Sequence, residues 1–340
     1  MAHAPLVTAE VRQTPAPPNA GAAKGGSRAP LPAPLKLKTC TLPTGLVVSC
    51  PTTRDEVMTV YQENFVDRQY CQHGVDLAAG DTVLDVGANS GMFALCAAEA
   101  VGAAGRVLAL EPAPLAAAAC ADNAARHAAW LAARGGGAAA AARVETIQAA
   151  VGDGSAAQLT LVVYDAVSTL STLAPDHAAA ETALQSFVET QIRNGTPVGS
   201  RVQRALIRAG SAFARFPPTA PLVRAAARAA VRRVLASRRE VEVAVVTVSG
   251  LLRERGVQSV GLLKIDVERA ELDVLRGVSA EDWPRIEQVA AEVHEALLAP
   301  VVDLLKGPAG FGRVVAVPVD AALIGPGMHM VYATRRGGAA

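Results

Sequence analysis

Between residues 82 and 111 two short apolar runs each end in a carboxylate, and a glycine-bounded turn separates the first run from an alanine-rich stretch. No other part of the chain restricts the fold as tightly. The run TVLDV is flanked by Gly80-Asp81 and by Gly87, and its length and β-branched residues predict a fully buried strand over 82–87. In the turn GANSG, Gly87 and Gly91 let the backbone bend sharply and approach a ligand that a Cβ would hold away. Residues 92–101, MFALCAAEAV, then read as a helix, and 106–111, RVLALE, as a second strand. Strand, turn, helix and strand in this order form the first crossover of a parallel sheet. Such sheets bind their ligands at the carboxyl ends of the strands.

The turn is not G-x-G-x-x-G, the pattern that brings backbone amides and a helix N-terminus onto a pyrophosphate. Asp85 stands two residues before Gly87, where it faces a phosphate poorly and suits a cationic group. The amino group of S-adenosylmethionine (SAM) is such a group. Glu111, at the second strand tip, can accept hydrogen bonds from both hydroxyls of a ribose.

A chain of 340 residues, 51% hydrophobic and 19% charged, can bury a sizeable core, although alanine inflates the first figure. A net charge of +1 gives no global attraction to nucleic acid or acidic membrane. No apolar run reaches the roughly 18 residues of a spanning helix, so the chain reads as soluble. The cysteines (Cys40, Cys50, Cys71, Cys96, Cys120) are odd in number and lack C-x-x-C spacing, which indicates a reducing compartment and no zinc site. Residues 1–38 are rich in Ala, Pro and Gly, with Glu10 as the one acid. They read as a disordered tail, giving a cytoplasmic protein, or else as a transit peptide to a plastid or mitochondrion.

Strands are predicted at 82–87, 106–111, 143–151, 157–163, 260–266, 286–293, 312–317 and 328–334. They alternate with helices as in a doubly wound, mostly parallel α/β sheet. The last two lie close together, as an antiparallel hairpin at the sheet edge. A short strand at 46–49 and a helix over 55–70, packed beside the mouth of the pocket, precede the sheet. Residues 133–142 read as a low-complexity loop. The domain over 39–335 is interrupted by an insertion, 165–242, whose later part carries Arg201, Arg204, Arg208, Arg215 and six further arginines up to Arg239. That stretch is a surface for an anionic partner or a solvated insertion.

A second constellation is LLKIDVERAELDVLRGV, residues 262–278. Asp266 and Glu268 stand at or just past the tip of a buried strand, and Glu268, Glu271 and Leu272 open a helix. Carboxylates in a first helical turn favour the helix dipole. Asp266 at a central strand tip is placed for a substrate hydroxyl, a metal ion or a general-base role. Glu292 and His294 close the next strand, and a histidine can take a proton near neutral pH.

VLDVGANSGMF, the Glu111-Pro112 pair, LLKIDVERAELDVLRGV and the AEVHE strand together resemble the FkbM-type SAM-dependent methyltransferases, as does ENFVDRQY with His73-Gly74 before them. The resemblance covers about 40–164 and 243–335. It implies a class I methyltransferase (Rossmann-like) fold with a seven-stranded sheet and a terminal antiparallel hairpin. It also implies SAM as cofactor and O-methylation of a small-molecule hydroxyl or carboxyl group. Carried over to this chain, Asp85, Gly87, Asn89 and Gly91 hold the methionine end and Glu111 the ribose, with Ala88, Phe93 and Pro112 also among the cofactor-binding residues. Ala150 and Asp153 lie near the adenine. Asp266, Glu268 and Glu292 line the acceptor side. Two positions depart from the family pattern: Arg269 replaces a usual Gly, which places a cation at the mouth of the acceptor site, and Ser249 replaces a usual Asp.

The chemistry implied is in-line displacement of methyl from a sulfonium by an oxygen, accelerated by alignment of the two reactants. Asp266 is the expected base and His294 the second choice, while a carboxylate acceptor needs no base. Asp266 and Glu268 without a third ligand do not predict a metal. The rival readings are a non-catalytic SAM-binding scaffold and an RNA methyltransferase that uses the arginine-rich insertion. A nicotinamide reductase is disfavoured by the turn and by the terminal hairpin.

Overall fold

TVLDV becomes β3 (Thr82–Val86), the central strand of the main sheet in the computed structural model, which describes residues 37–135, 141–164, 225, 238–319 and 327–335. From β3 the chain enters α2 (Met92–Val101), β4 (Arg106–Leu110), α3 (Pro114–Ala133) and β5 (Arg143–Ile147). The other half of the sheet comes from β9 (Leu262–Ile265), β10 (Gln288–His294), β11 (Arg313–Pro318) and β12 (Met328–Thr334). Spatial order is β11-β12-β10-β9-β3-β4-β5. All pairings are parallel except β10 with β12 and β11 with β12, the terminal antiparallel hairpin. Register aligns Val86 with Leu110 on one side and with Ile265 on the other. The residues that follow these three strands therefore share one edge. That alignment makes the site.

Apolar side chains cover both faces of the sheet. Leu84, Leu108, Leu263 and Ile286 lie in one cluster and Val83, Val107, Leu262 and Tyr332 in another. The helices α4 (Val248–Glu254), α5 (Glu271–Arg276) and α6 (Glu295–Lys306) cover the β9–β10 half. No helix among the described residues is long and apolar enough to cross a membrane.

Three expectations need correction. The runs 143–151 and 157–163 were each to join the main sheet. Instead the first breaks after Ile147, and β6 (Ala150–Val151) pairs in parallel with β8 (Arg238–Val246). The second becomes β7 (Gln158–Tyr164), antiparallel to β8, in a separate three-stranded sheet. The cause is β8, whose Val241, Val243 and Val245 face the Ala113–Ala116 end of α3 while Glu240 and Glu242 stay exposed. Residues 238–242, expected in the insertion, thus belong to β8 and pair with β7; the arginines from Arg201 to Arg233 lie outside the described residues, as do 1–36.

The helix expected over 55–70 is shorter. Thr53 caps α1 (Arg54–Tyr61) by accepting from the Glu56 amide, and the chain then widens into a π-helical turn, Gln62–Val66. The helix expected from Glu268 starts at Glu271 instead, because Arg269 has φ +65°. Glu268 sits in the turn before the helix, so the helix dipole does not account for its position.

Ahead of these elements, β1 (Lys38–Thr41) and β2 (Val47–Cys50) form a hairpin. It is tied to the GANSG turn through one residue of α3. Asn123 accepts from the Ser49 amide at 2.6 Å and donates to the carbonyls of Ser49 at 3.0 Å and Ser90 at 2.9 Å.

Candidate active site

The turn GANSG takes its shape from three left-handed residues, Gly87 (φ +79°), Asn89 (φ +48°) and Gly91 (φ +83°). The amides of Gly87 and Ala88 both donate to the Leu110 carbonyl, at 2.9 and 3.0 Å, which pins the turn to the tip of β4. Glu111 is 7% exposed and receives one amide on each oxygen, Asn89 on Oε2 and Ala113 on Oε1, both at 2.8 Å. Burial pushes its carboxyl up to about 7, against the pull of those two amides. Each oxygen keeps a second lone pair for a ligand hydroxyl. Ala88 and Phe93 are buried behind the turn, and Pro112 joins Glu111 to the start of α3.

Asp85 is fully buried, and its Oδ1 lies 2.9 Å from the Nζ of Lys264 on β9. Lys264 also donates to the Gly87 carbonyl at 2.8 Å and approaches Asp266 Oδ2 at 3.5 Å. Burial works to strip this ammonium of its proton, yet Asp85 and Asp266 outweigh it and hold the group above its ordinary value. Asp85 thus meets a cation of its own chain. A lysine inside the apolar strand LLKI was the available clue, since a buried ammonium requires a paired carboxylate.

The side expected to take the acceptor draws its residues from four elements. Tyr70 donates its hydroxyl to Asp266 Oδ2 at 2.9 Å, and Lys264 lies over the Tyr70 ring. Glu292 on β10 has no hydrogen bond or ion pair among the described residues, and burial, then Asp266, Glu268 and Glu63, push its carboxyl well above the usual range. Burial likewise raises Glu268, against the pull of His294. Glu63, on the π-helical turn, is pushed up to about 7 by burial and by Asp266 and Asp67. Neither Glu63, Tyr70 nor Lys264 was singled out as a site residue in the sequence. Glu63 and Tyr70 come from a segment that carries no strand-tip acid, and Lys264 lies inside a strand that reads as apolar.

His294 needs a different role from the one expected. Its Nδ1 lies 2.8 Å from Oε1 of buried Glu271, and its Nε2 3.3 Å from Glu268 Oε2. Burial disfavours the imidazolium, but these two carboxylates overcome it and push the group up to about 9. At neutral pH the ring is already protonated and has no lone pair to offer.

The remaining positions are mixed. Ala150 is buried in β6, while Asp153 is exposed and accepts from its local neighbour Ser155, whose amide lies at 2.8 Å. Ser249 donates to Ser279, which donates to Asp282 at 3.0 Å, so a carboxylate from elsewhere serves that spot. Arg269 is exposed, and its strained φ costs about 1 kcal/mol relative to glycine. Arg269→Gly is expected to raise the unfolding free energy by roughly 0.5 kcal/mol, seen as a higher urea midpoint, after allowing for the looser unfolded chain. A lower midpoint would mean that the side chain makes a stabilising contact.

Among the described residues, no group of His, Cys, Asp and Glu has the arrangement of a metal site. A cavity of about 250 Å³ opens at the opposite, amino-terminal edge of the sheet, beside Asp81, Arg106 and Gln258, and none of the predicted site residues reaches it.

Comparison with known proteins gives the following similarities. The family model described as the Methyltransferase FkbM domain matches residues 85–305. The chain is 37% identical to 31-O-demethyl-FK506 methyltransferase FkbM of Streptomyces tacrolimicus over 89% of its own length and 98% of that protein. It is 27% identical to methyltransferase sdnD of Sordaria araneosa, covering 75% of this chain and 82% of that one. A 28% identical match to AMB antimetabolite synthetase AmbE of Pseudomonas aeruginosa covers 83% of this chain but 12% of that protein. Among solved structures, fibrillarin of Aeropyrum pernix with bound SAM matches at TM-score 0.36 and 11% identity over 88% of this chain and 94% of that one.

Proposed function

The chain belongs to the FkbM methyltransferase family, and on that premise we propose that it methylates a hydroxyl oxygen of a small molecule with SAM as donor. The relative named 31-O-demethyl-FK506 methyltransferase FkbM supports oxygen as the acceptor atom. The single observation that carries the choice of hydroxyl over carboxylate is the charge of the acceptor side. Glu63, Asp266, Glu268 and Glu292 act on one another there, while Lys264 and His294 are both engaged by carboxylates of the chain. A carboxylate acceptor would enter a site already rich in acids, with no free cation among these residues to meet it.

The residues of the turn fit SAM. Glu111 keeps lone pairs for two ribose hydroxyls, and Gly87, Ala88, Asn89 and Gly91 present backbone to the methionine end. Lys264 holds Asp85 and the Gly87 carbonyl in place behind them. SAM, when bound, supplies a methyl group on a sulfonium that leaves as a neutral thioether. The chain supplies alignment, with Asp266 fixed by Tyr70 and its Oδ1 left to orient the acceptor.

Calorimetry with SAM and with S-adenosylhomocysteine tests the cofactor half. Glu111→Gln is expected to weaken SAM binding by about tenfold or more, since a charge-assisted hydrogen bond is worth roughly 1.5–3 kcal/mol. Unchanged affinity would remove Glu111 from the ribose site. Incubation with methyl-labelled SAM and a small-molecule extract tests the acceptor half. Label recovered in an ester or an amine, and not in an ether, would overturn hydroxyl methylation.

A further inference from the structure

Resting on the methyl-transfer reading above, we propose that Glu63 takes the proton of the acceptor hydroxyl. In that step the O–H bond breaks and its proton passes to the Glu63 carboxylate. The oxygen forms the new bond to the methyl carbon as the methyl–sulfur bond breaks, its electron pair staying on sulfur.

Position is the first support. Glu63 lies on the π-helical turn Gln62–Val66, and a single wide turn of this kind frequently marks a functional position. The turn is held from both sides. The Asp67 amide donates to the Gln62 carbonyl at 2.9 Å, and the Gln69 amide to the Glu63 carbonyl at 2.9 Å. Asn64 donates its side-chain amide to the Val60 carbonyl at 2.8 Å, and the Cys96 thiol of α2 donates to the Asn64 carbonyl at 3.4 Å. A backbone so fixed aims its side chain reproducibly, as a proton acceptor requires.

Elimination is the second support. Asp266 already accepts from Tyr70 at 2.9 Å and lies 3.5 Å from the Lys264 ammonium, so its Oδ2 is engaged by the chain's own donors. His294 is cationic between Glu268 and Glu271. Tyr70 keeps its proton, since burial and Asp266 raise its hydroxyl well above its ordinary value. Half-buried Glu292 has no hydrogen-bonding partner among the described residues, and burial and its acidic neighbours raise its carboxyl well above the usual range, which disfavours the ionised form a base needs. Glu63 also has no hydrogen bond or ion pair among the described residues. The charged groups that act on it are Asp266, Asp67 and Lys264, with Tyr70 and Glu292 facing the same cluster. Its carboxyl titrates at about 7, where a base is both available and strong enough. Glu63 lies outside the residues matched by the family model.

The sign follows from the direction of that shift. Below pH 7 Glu63 is protonated and cannot accept, so turnover rises with pH through about 7. The test compares the full-length wild type with Glu63→Gln and Glu63→Asp. S-adenosylhomocysteine release from the small-molecule extract is followed against pH, and SAM affinity is measured by calorimetry. Glu63→Gln is expected to keep its SAM affinity, to slow release by about 10²–10⁴-fold and to lose the rise near neutrality. Glu63→Asp should recover part of the rate together with the rise, which a merely structural role would not do. Carbon-13 NMR of carboxyl-labelled glutamates supplies a readout that needs no acceptor. The Glu63 and Glu111 resonances should both titrate near 7, and Glu63→Gln should remove the first and leave the second.

A Glu63→Gln protein with wild-type rate or an unaltered pH rise overturns the assignment, and so does an NMR titration that loses no resonance. A wild type that binds SAM yet releases no product from the extract overturns the methyl-transfer reading, and the role of Glu63 falls with it.

Discussion

Lys264→Met is expected to destabilise the protein by about 3–5 kcal/mol at neutral pH, the largest single effect of any substitution near the site. Lys264 and Asp85 are direct neighbours across β9 and β3, both essentially without solvent, and they meet at 2.9 Å. Removing the ammonium leaves a carboxylate at the centre of the sheet with no cation, and Asp85 can escape only by taking up a proton. Its folded-state value then lies far above the ordinary aspartate value of about 3.9. A group raised on folding contributes most below its unfolded value and loses that contribution as pH rises towards its folded value. The deficit of Lys264→Met should therefore be largest near pH 7 and shrink towards about pH 4. Urea unfolding of wild type and variant at several pH values measures it. The double variant Asp85→Asn with Lys264→Met should recover much of the loss, because neither charge is then buried alone. A pH-independent deficit, or a double variant no better than the single one, would show that the pair is not an ion pair in solution.

Gly87→Ala comes next, with an expected cost of about 3 kcal/mol or more and loss of SAM binding. A Cβ at Gly87 would stand 1.8 Å from the Asp266 carbonyl oxygen and 2.7 Å from its carbon, and the residue has φ +79°. Backbone cannot rotate aside as a side chain does, so either the turn or the tip of β9 must shift. That movement would displace Asp266 and the lysine-bound Gly87 carbonyl together. Gly91→Ala provides the control. Its Cβ meets the Cys120 sulfur at 2.8 Å, and the rest of that residue no closer than 3.4 Å, so a smaller loss is expected there. Urea midpoints and calorimetry on both variants decide the matter. Equal losses at the two positions would mean that left-handed φ alone sets the cost, and that the close approach to Asp266 relaxes without consequence.

Legibility in the sequence followed the range of the forces involved. TVLDV, RVLAL and LLKI declare themselves by length, β-branching and bounding glycines, which are local properties. Because register places Val86, Leu110 and Ile265 side by side, the residues after them share an edge as the strand order implied. The run 143–151 misled for the opposite reason. Its composition is that of one strand throughout, but its second half pairs with β8, which lies beyond a long intervening segment. Propensity does not record a partner so distant in the chain. His294 misled in another way: the ring was visible, but the two carboxylates that hold it charged were not.

By itself, the sequence determined the strand–turn–helix–strand unit, the carboxylates at its strand tips and the family to which the chain belongs, because these rest on neighbouring residues and their spacing. Tertiary structure alone decided that Lys264 answers Asp85, that Tyr70 grips Asp266 across 196 positions, and that a π-helical turn brings Glu63 to the same acids. Charge and proton affinity in a buried site depend on which groups the fold brings within a few ångströms of one another, and no local pattern encodes that.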